Sequence, residues 1–195
     1  MTHNTHPQIH FRPPVLNDGA AIYQLIQSCT PLDLNSHYLY LLQASHFADT
    51  CMVALKNKQV VGFVSAYIQP NNPTTLFVWQ VAVAQSMRGQ GLAKALLNAL
   101  LQQLFCTAPL GVSNTTNATN RFAGITQLTC TISDSNKASQ GLFAWLAHAH
   151  NLHLTTEPFI ERSHFGEHTH EAETLYILSS PTHQPLVTSL LGNFS

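Results

Sequence analysis

Between Leu76 and Leu97 the chain reads LFVWQVAVAQSMRGQGLAKALL, an apolar run that passes through Arg88, Gly89, Gln90 and Gly91 straight into Leu92, Ala93 and Lys94. The first amides of a helix have no intrahelical acceptor and sit at the positive end of its dipole, so a turn of this kind attracts an anion. The two glycines permit close approach and unusual φ, and Arg88 adds a fixed positive charge. A pyrophosphate is the natural occupant. The loop is not a Walker A loop, because Gly-Lys-Ser/Thr is missing, and GQG lacks the third glycine and the βαβ start of a dinucleotide fingerprint. A second group lies in LDLNSHYLY, where Asp33 is followed by Asn35, Ser36, Tyr38 and Tyr40. It puts one carboxylate among hydrogen-bonding groups at a loop-to-helix junction. Trp79 offers an apolar wall or a cation–π face. Five of the nine acids, Glu157, Glu161, Glu167, Glu171 and Glu173, gather near the C-terminus. His164, His168 and His170 lie among them, but their spacing matches no zinc pattern and no cysteine joins them, so no metal is expected.

The elements that must position these groups alternate, which predicts an α/β or α+β fold. Ile9 to Arg12 reads as a strand, and Ile22, Leu25, Ile26 and Cys29 fall at helical spacing behind Asn17 or Asp18 as a cap. Ser36 caps a second helix through Leu41, Leu42 and Phe47. CMVALK, a turn at Asn57 and Lys58, and VVGFVSAYI read as a hairpin. Leu76 to Ala84 reads as a central strand buried on both faces, and Leu92, Leu96, Leu97, Leu100, Leu101 and Leu104 mark a helical stripe behind the glycine loop. QLTCTIS is a further strand, with Ser135 as the expected cap of the helix after it. Strands near Leu152 to Ile160 and Glu173 to Leu178 complete the set. The polar stretch Thr107 to Gly124 reads as a flexible loop, and the residues after Leu178 as a tail, loose or laid on the surface.

Charge is the compositional anomaly. Of 195 residues only 9% are charged, with a net charge of -1, while the hydrophobic share is an ordinary 45%. Nothing there neutralises many phosphates at once, which disfavours nucleic acid and anionic membranes as partners. No signal-like segment opens the chain, and Cys29, Cys51, Cys106 and Cys130 are widely spaced, so free thiols in a reducing cytoplasm are expected. The sequons at Asn114 and Asn117 carry no meaning without export.

The loop resembles the acetyl-CoA loop of the GNAT superfamily, Arg/Gln-x-x-Gly-x-Gly/Ala, here Arg88, Gly91 and Ala93, upstream of a strand that ends in SNKAS. That resemblance implies a GNAT fold over residues 9–178, a mixed, mostly antiparallel sheet flanked by helices. It implies acetyl-CoA held by Val81, Ala82, Val83, the residues from Arg88 to Lys94, Asn136, Ser139 and Phe143. Superfamily chemistry is attack by a neutral amine on the thioester, which needs a base near the amine and a donor for the oxyanion. Val81 and Val83 are the candidate donors by position on the strand. Many superfamily members carry a Tyr that protonates the departing thiolate where this chain has Phe143, which cannot donate a proton. LDLNSHYLYLL, HFADT, LFVWQVAVA, RGQGLAKALL, ISDSNKAS and HEAETLY together resemble the L-2,4-diaminobutyrate acetyltransferases of ectoine biosynthesis. This closer resemblance implies a cytoplasmic homodimer acetylating the γ-amine of L-2,4-diaminobutyrate. Asp33, Asn35, Tyr38, Trp79, His170 and Glu173 are then the acceptor residues, with Val81, His170 and Glu173 in the chemistry and the general base left open. Acetylation of another small amine or a protein terminus, and a non-catalytic acyl-CoA sensor, are the alternatives.

Overall fold

A computed structural model describes residues 8–106, 122–166, 170–182 and 184–190, without the side chains of Cys106, Ser189 and Leu190. In chain order the elements are β1 (His10–Arg12), α1 (Gly19–Gln27), α2 (His37–Gln43), β2 (Cys51–Lys56), β3 (Gln59–Gln69) and β4 (Asn72–Val83). There follow α3 (Leu92–Cys106), β5 (Gln127–Ser133), α4 (Lys137–Ala149), β6 (His153–Ile160), β7 (Glu173–Ser179) and α5 (Leu186–Leu190). The strands are hydrogen-bonded in the order β1-β2-β3-β4-β5-β7-β6. β4 and β5 run parallel, while β1–β2, β2–β3, β5–β7 and β6–β7 are antiparallel, so the sheet is mixed and the class α/β. The chain forms two compact units, residues 1–67 with 80–101, and residues 68–79 with 102–195. The division falls within β4, between Trp79 and Gln80.

In the first unit the β2–β3 hairpin follows from its turn. Asn57 and Lys58 take φ of 51° and 66°, the left-handed pair of a type I′ turn, and Lys56 registers with Gln59. Ile22, Leu25 and Ile26 of α1 bury against Tyr40, Val53, Phe63 and Ala82. Each such side chain contributes roughly 1.5–3 kcal/mol of transfer free energy. The six leucines of the predicted stripe in α3 are all buried. Gly62 brings that helix down onto the sheet, since a Cβ there would lie 2.8 Å from Leu96 Cδ1 and 3.3 Å from the Ala54 Cβ. Two details differ from expectation. Asp18 makes no side-chain cap to α1; its carboxylate instead accepts from Arg12 at 2.6 and 3.0 Å and from the Val15 amide at 2.7 Å. The second helix ends at Gln43, short of Phe47.

In the second unit β5 registers with β7 along its whole length, Gln127↔Ser179 to Ser133↔Glu173, and β6 closes a hairpin onto β7. α4 packs through Phe143, Leu146 and Ala147. The predicted surface tail is anchored: Leu186 is 0% exposed and its amide donates to the Ile125 carbonyl at 2.7 Å. An apolar side chain that finds a dry partner outweighs a polar setting in the sequence. Of the expected loop, Thr107 to Arg121 lies outside the described residues, as do Glu167 and His168.

β4 departs most from its sequence reading. Leu76, Val78, Gln80 and Ala82 are buried, whereas Phe77, Val81 and Val83 are half-buried and Trp79 is 45% exposed. One face is core; the other is apolar and open. Cys29, Cys51 and Cys130 are buried free thiols, and Cys29 Sγ donates to the Val83 carbonyl at 3.4 Å. Burial pushes the Cys51 thiol up to about 12, against a lowering hydrogen bond at Ala66. It raises Cys130 as well, with the charge of Glu173 acting in the same direction.

Candidate functional site

The first unit carries the loop from Arg88 to Lys94. Gly89 and Gly91 sit at φ of 73° and 78°, where a Cβ would meet nothing within 4 Å. The glycines are therefore required by backbone conformation and not by crowding. The loop braces itself, with Arg88 Nε donating to the Val83 carbonyl at 3.2 Å and Gln90 Nε2 to the Ser86 carbonyl at 2.9 Å. Met87 is buried beneath it. Ala95 N donates to Gly91 O at 3.0 Å, so the amides of Leu92, Ala93 and Lys94 precede the first helical bond of that turn. These amides and the Arg88 guanidinium supply what a diphosphate needs. The side chains of Ala82 and Leu92 belong to the core, so any contact they make with a ligand is through backbone.

The same unit holds the segment from Asp33 to Tyr40. Asp33 and Tyr38 are exposed, Tyr38 at 68%, and Asn35 is half-buried. Ser36 caps α2 as expected, accepting from Leu39 N at 3.3 Å. Tyr40, expected near Asp33 as a hydrogen-bonding group, is fully buried, and its hydroxyl accepts from the Asn35 amide at 3.1 Å. Gln80 Nε2 donates to the Asp33 carbonyl at 2.7 Å. Gln80 was missed from sequence, although a lone amide inside an apolar run is a signal.

In the second unit, Asn136, not Ser135, caps α4, its Oδ1 accepting from Ser139 N at 3.0 Å. Ser135 N donates to the Glu171 carboxylate at 3.3 Å, and Glu173 registers with Ser133. Hydrogen bonds from Ser135 hold the Glu171 carboxyl below the usual range. The start of α4 and the segment Glu171 to Glu173 are thus brought together. His170 is exposed and stacks on Phe165, ring centroids 4.7 Å apart. Glu157 and Glu161 are exposed. Phe143, expected against the cofactor, is buried on the packed side of its helix. The β4–β5 register ends at Phe77↔Thr129 while β5 runs on to Ser133, so β4 continues beyond Phe77 without a β5 partner. Among the described residues, no three His, Cys, Asp or Glu side chains are grouped to hold a metal.

A turn with two positive-φ glycines leads from a central strand into a long helix, and that strand runs past its last parallel pair. The sequence matches the acetyltransferase (GNAT) family over residues 19–146. The chain belongs to the GNAT family. Within GNAT proteins it is 40% identical to the L-2,4-diaminobutyric acid acetyltransferase of Bordetella parapertussis, covering 94% of this chain and 97% of that one. It is 39% identical to the Halomonas elongata protein of the same name, over 86% of this chain and 79% of the other. Among solved GNAT structures it is similar to the diaminobutyrate acetyltransferase of Paenibacillus lautus in complex with L-2,4-diaminobutyric acid and coenzyme A. There the TM-score is 0.76 at 37% identity, covering 89% of this chain and 95% of that one. The GNAT fold extends to the ribosomal-protein-S18-alanine N-acetyltransferase of Escherichia coli, with a TM-score of 0.56 at 17% identity, covering 89% of this chain and 94% of that one.

Proposed function

We propose that this chain transfers the acetyl group of acetyl-CoA to the γ-amine of L-2,4-diaminobutyrate, giving N4-acetyl-L-2,4-diaminobutyrate, a step of ectoine formation. The observation that carries this reading is the 40% identity to a diaminobutyrate acetyltransferase over nearly the whole of both chains. The ammonium first loses a proton, and the neutral amine attacks the thioester carbonyl. A C–N bond forms, the C–S bond breaks, and coenzyme A leaves as its thiolate. An amide of Val81 or Val83, on β4 beyond its last β5 pair, donates to the oxyanion. The Arg88 to Lys94 loop holds the diphosphate, and Asn136 and Ser139 contact the pantetheine side of the cofactor. Asp33 pairs with a substrate ammonium, Asn35 and Tyr38 add hydrogen bonds, and Trp79 covers the alkyl chain. Glu173 and His170 are the groups that could take the amine's proton. Phe143 supplies no proton, so water or another side chain protonates the thiolate. The active form is a cytoplasmic homodimer.

A coenzyme A release assay with diaminopropionate, diaminobutyrate, ornithine and lysine tests the reading. Diaminobutyrate should give the highest kcat/KM, falling with each methylene added or removed. No release with any of the four would overturn it, and equal rates with all would overturn the assigned substrate.

A further inference from the structure

Gln80 is the single amide in the apolar run from Leu76 to Ala84 and is 6% exposed. Burying an amide is costly unless its donors and acceptor are used, so its partners carry information. They lie in one loop. Nε2 donates to the Asp33 carbonyl at 2.7 Å, and Oε1 accepts from the Tyr40 hydroxyl at 3.4 Å. That hydroxyl in turn accepts from the Asn35 amide at 3.1 Å. A chain of three bonds thus runs from β4 to the backbone on either side of Leu34. The donor and acceptor directions agree throughout, which fixes the orientation of the Gln80 amide. Tyr40 is 0% exposed and Gln80 lies on the buried face of β4, so both act through the loop. Tyr23 meets the Tyr40 ring edge-on at 6.0 Å and holds it in place.

We infer that Gln80 and Tyr40 are positioning residues that set the location of Asp33, and through it the length of diamine the enzyme accepts. This rests on Asp33 being an acceptor contact. A carboxylate on a loop pinned to the central strand at two backbone points selects a chain by length; on an untied loop it would follow shorter and longer amines alike.

The test is steady-state kinetics on Tyr40→Phe, Gln80→Met and Asp33→Ala, with thermal melting of each. Tyr40→Phe removes one oxygen and keeps the ring, so it retains the fold. It should raise KM for diaminobutyrate about tenfold and leave KM for acetyl-CoA within about twofold. The preference for diaminobutyrate over ornithine should shrink by a similar factor, and Gln80→Met should do the same. A folded Tyr40→Phe with unchanged KM and unchanged preference, beside an impaired Asp33→Ala, overturns the positioning role and leaves Asp33 in its own. An unaffected Asp33→Ala overturns both. A lowered melting temperature with equal loss toward both substrates reduces the pair to packing and overturns the inference.

Discussion

Asn136 caps α4 with its Oδ1, which accepts from Ser139 N, while its proposed contact with acetyl-CoA falls to its side-chain N–H groups. Two substitutions separate these uses. Asn136→Asp keeps the capping oxygen and adds a charge the helix N-terminus tolerates, but loses the donors and repels an anionic ligand. Its melting temperature should match the parent while KM for acetyl-CoA rises about tenfold. Asn136→Ala should also lose about 1 kcal/mol of stability in a denaturant titration. If Asn136→Asp binds acetyl-CoA as the parent does, the residue is a cap and nothing more. Ser and Asn both cap well, so the sequence could place this cap only to within one residue. The positive φ at Gly89 and Gly91 was legible from the letters alone, because few other residues accept it. The pairing of Gln80 with a loop 47 residues away was not. No local rule links positions so far apart.

The elements themselves were largely readable where a turn or a stripe announced them, as in the Asn57-Lys58 hairpin and the leucines of α3. β4 was misjudged for a physical reason. A continuous apolar run describes a strand buried on both faces as well as one whose second face is apolar but open, and periodicity cannot separate the two. The anchoring of α5 through Leu186 is again a long-range fact. Between β1 and α1, the Arg12–Asp18 pair ties a short edge strand to the start of a helix. Burial pushes the Asp18 carboxyl up, but the bonds from Arg12 and the Val15 amide, with the charge of Arg12, outweigh this and hold it below its ordinary 3.8. A depressed carboxylate stabilises the fold above the unfolded value, and the contribution disappears as pH falls through the folded one. Asp18→Asn should therefore cost up to about 1 kcal/mol near pH 7 in urea titrations. The gap from the parent should close as the titrations are repeated below the ordinary carboxylate range. A gap that stays constant down that series would mean the pair contributes no ionic stabilisation.

At the scale of the molecule, so few charges for 195 residues leave solubility to Asn, Gln, Ser, Thr and His. They also leave the charges that do occur conspicuous near the proposed ligands: Arg88 and Lys94 on the anion loop, Glu171 and Glu173 beside the start of α4. The buried cysteines bear on how this enzyme can be watched. A thiol must be exposed and ionised to react with a disulfide dye, and Cys29, Cys51 and Cys130 are enclosed, with Cys51 and Cys130 also raised in pKa. A native sample should therefore titrate at no more than one fast thiol per chain, and at four in denaturant. The dye can then follow coenzyme A release continuously, with the protein nearly silent. A native count above one would show that these cysteines open to solvent, and the same trace would then report unfolding during storage before any loss of turnover is noticed.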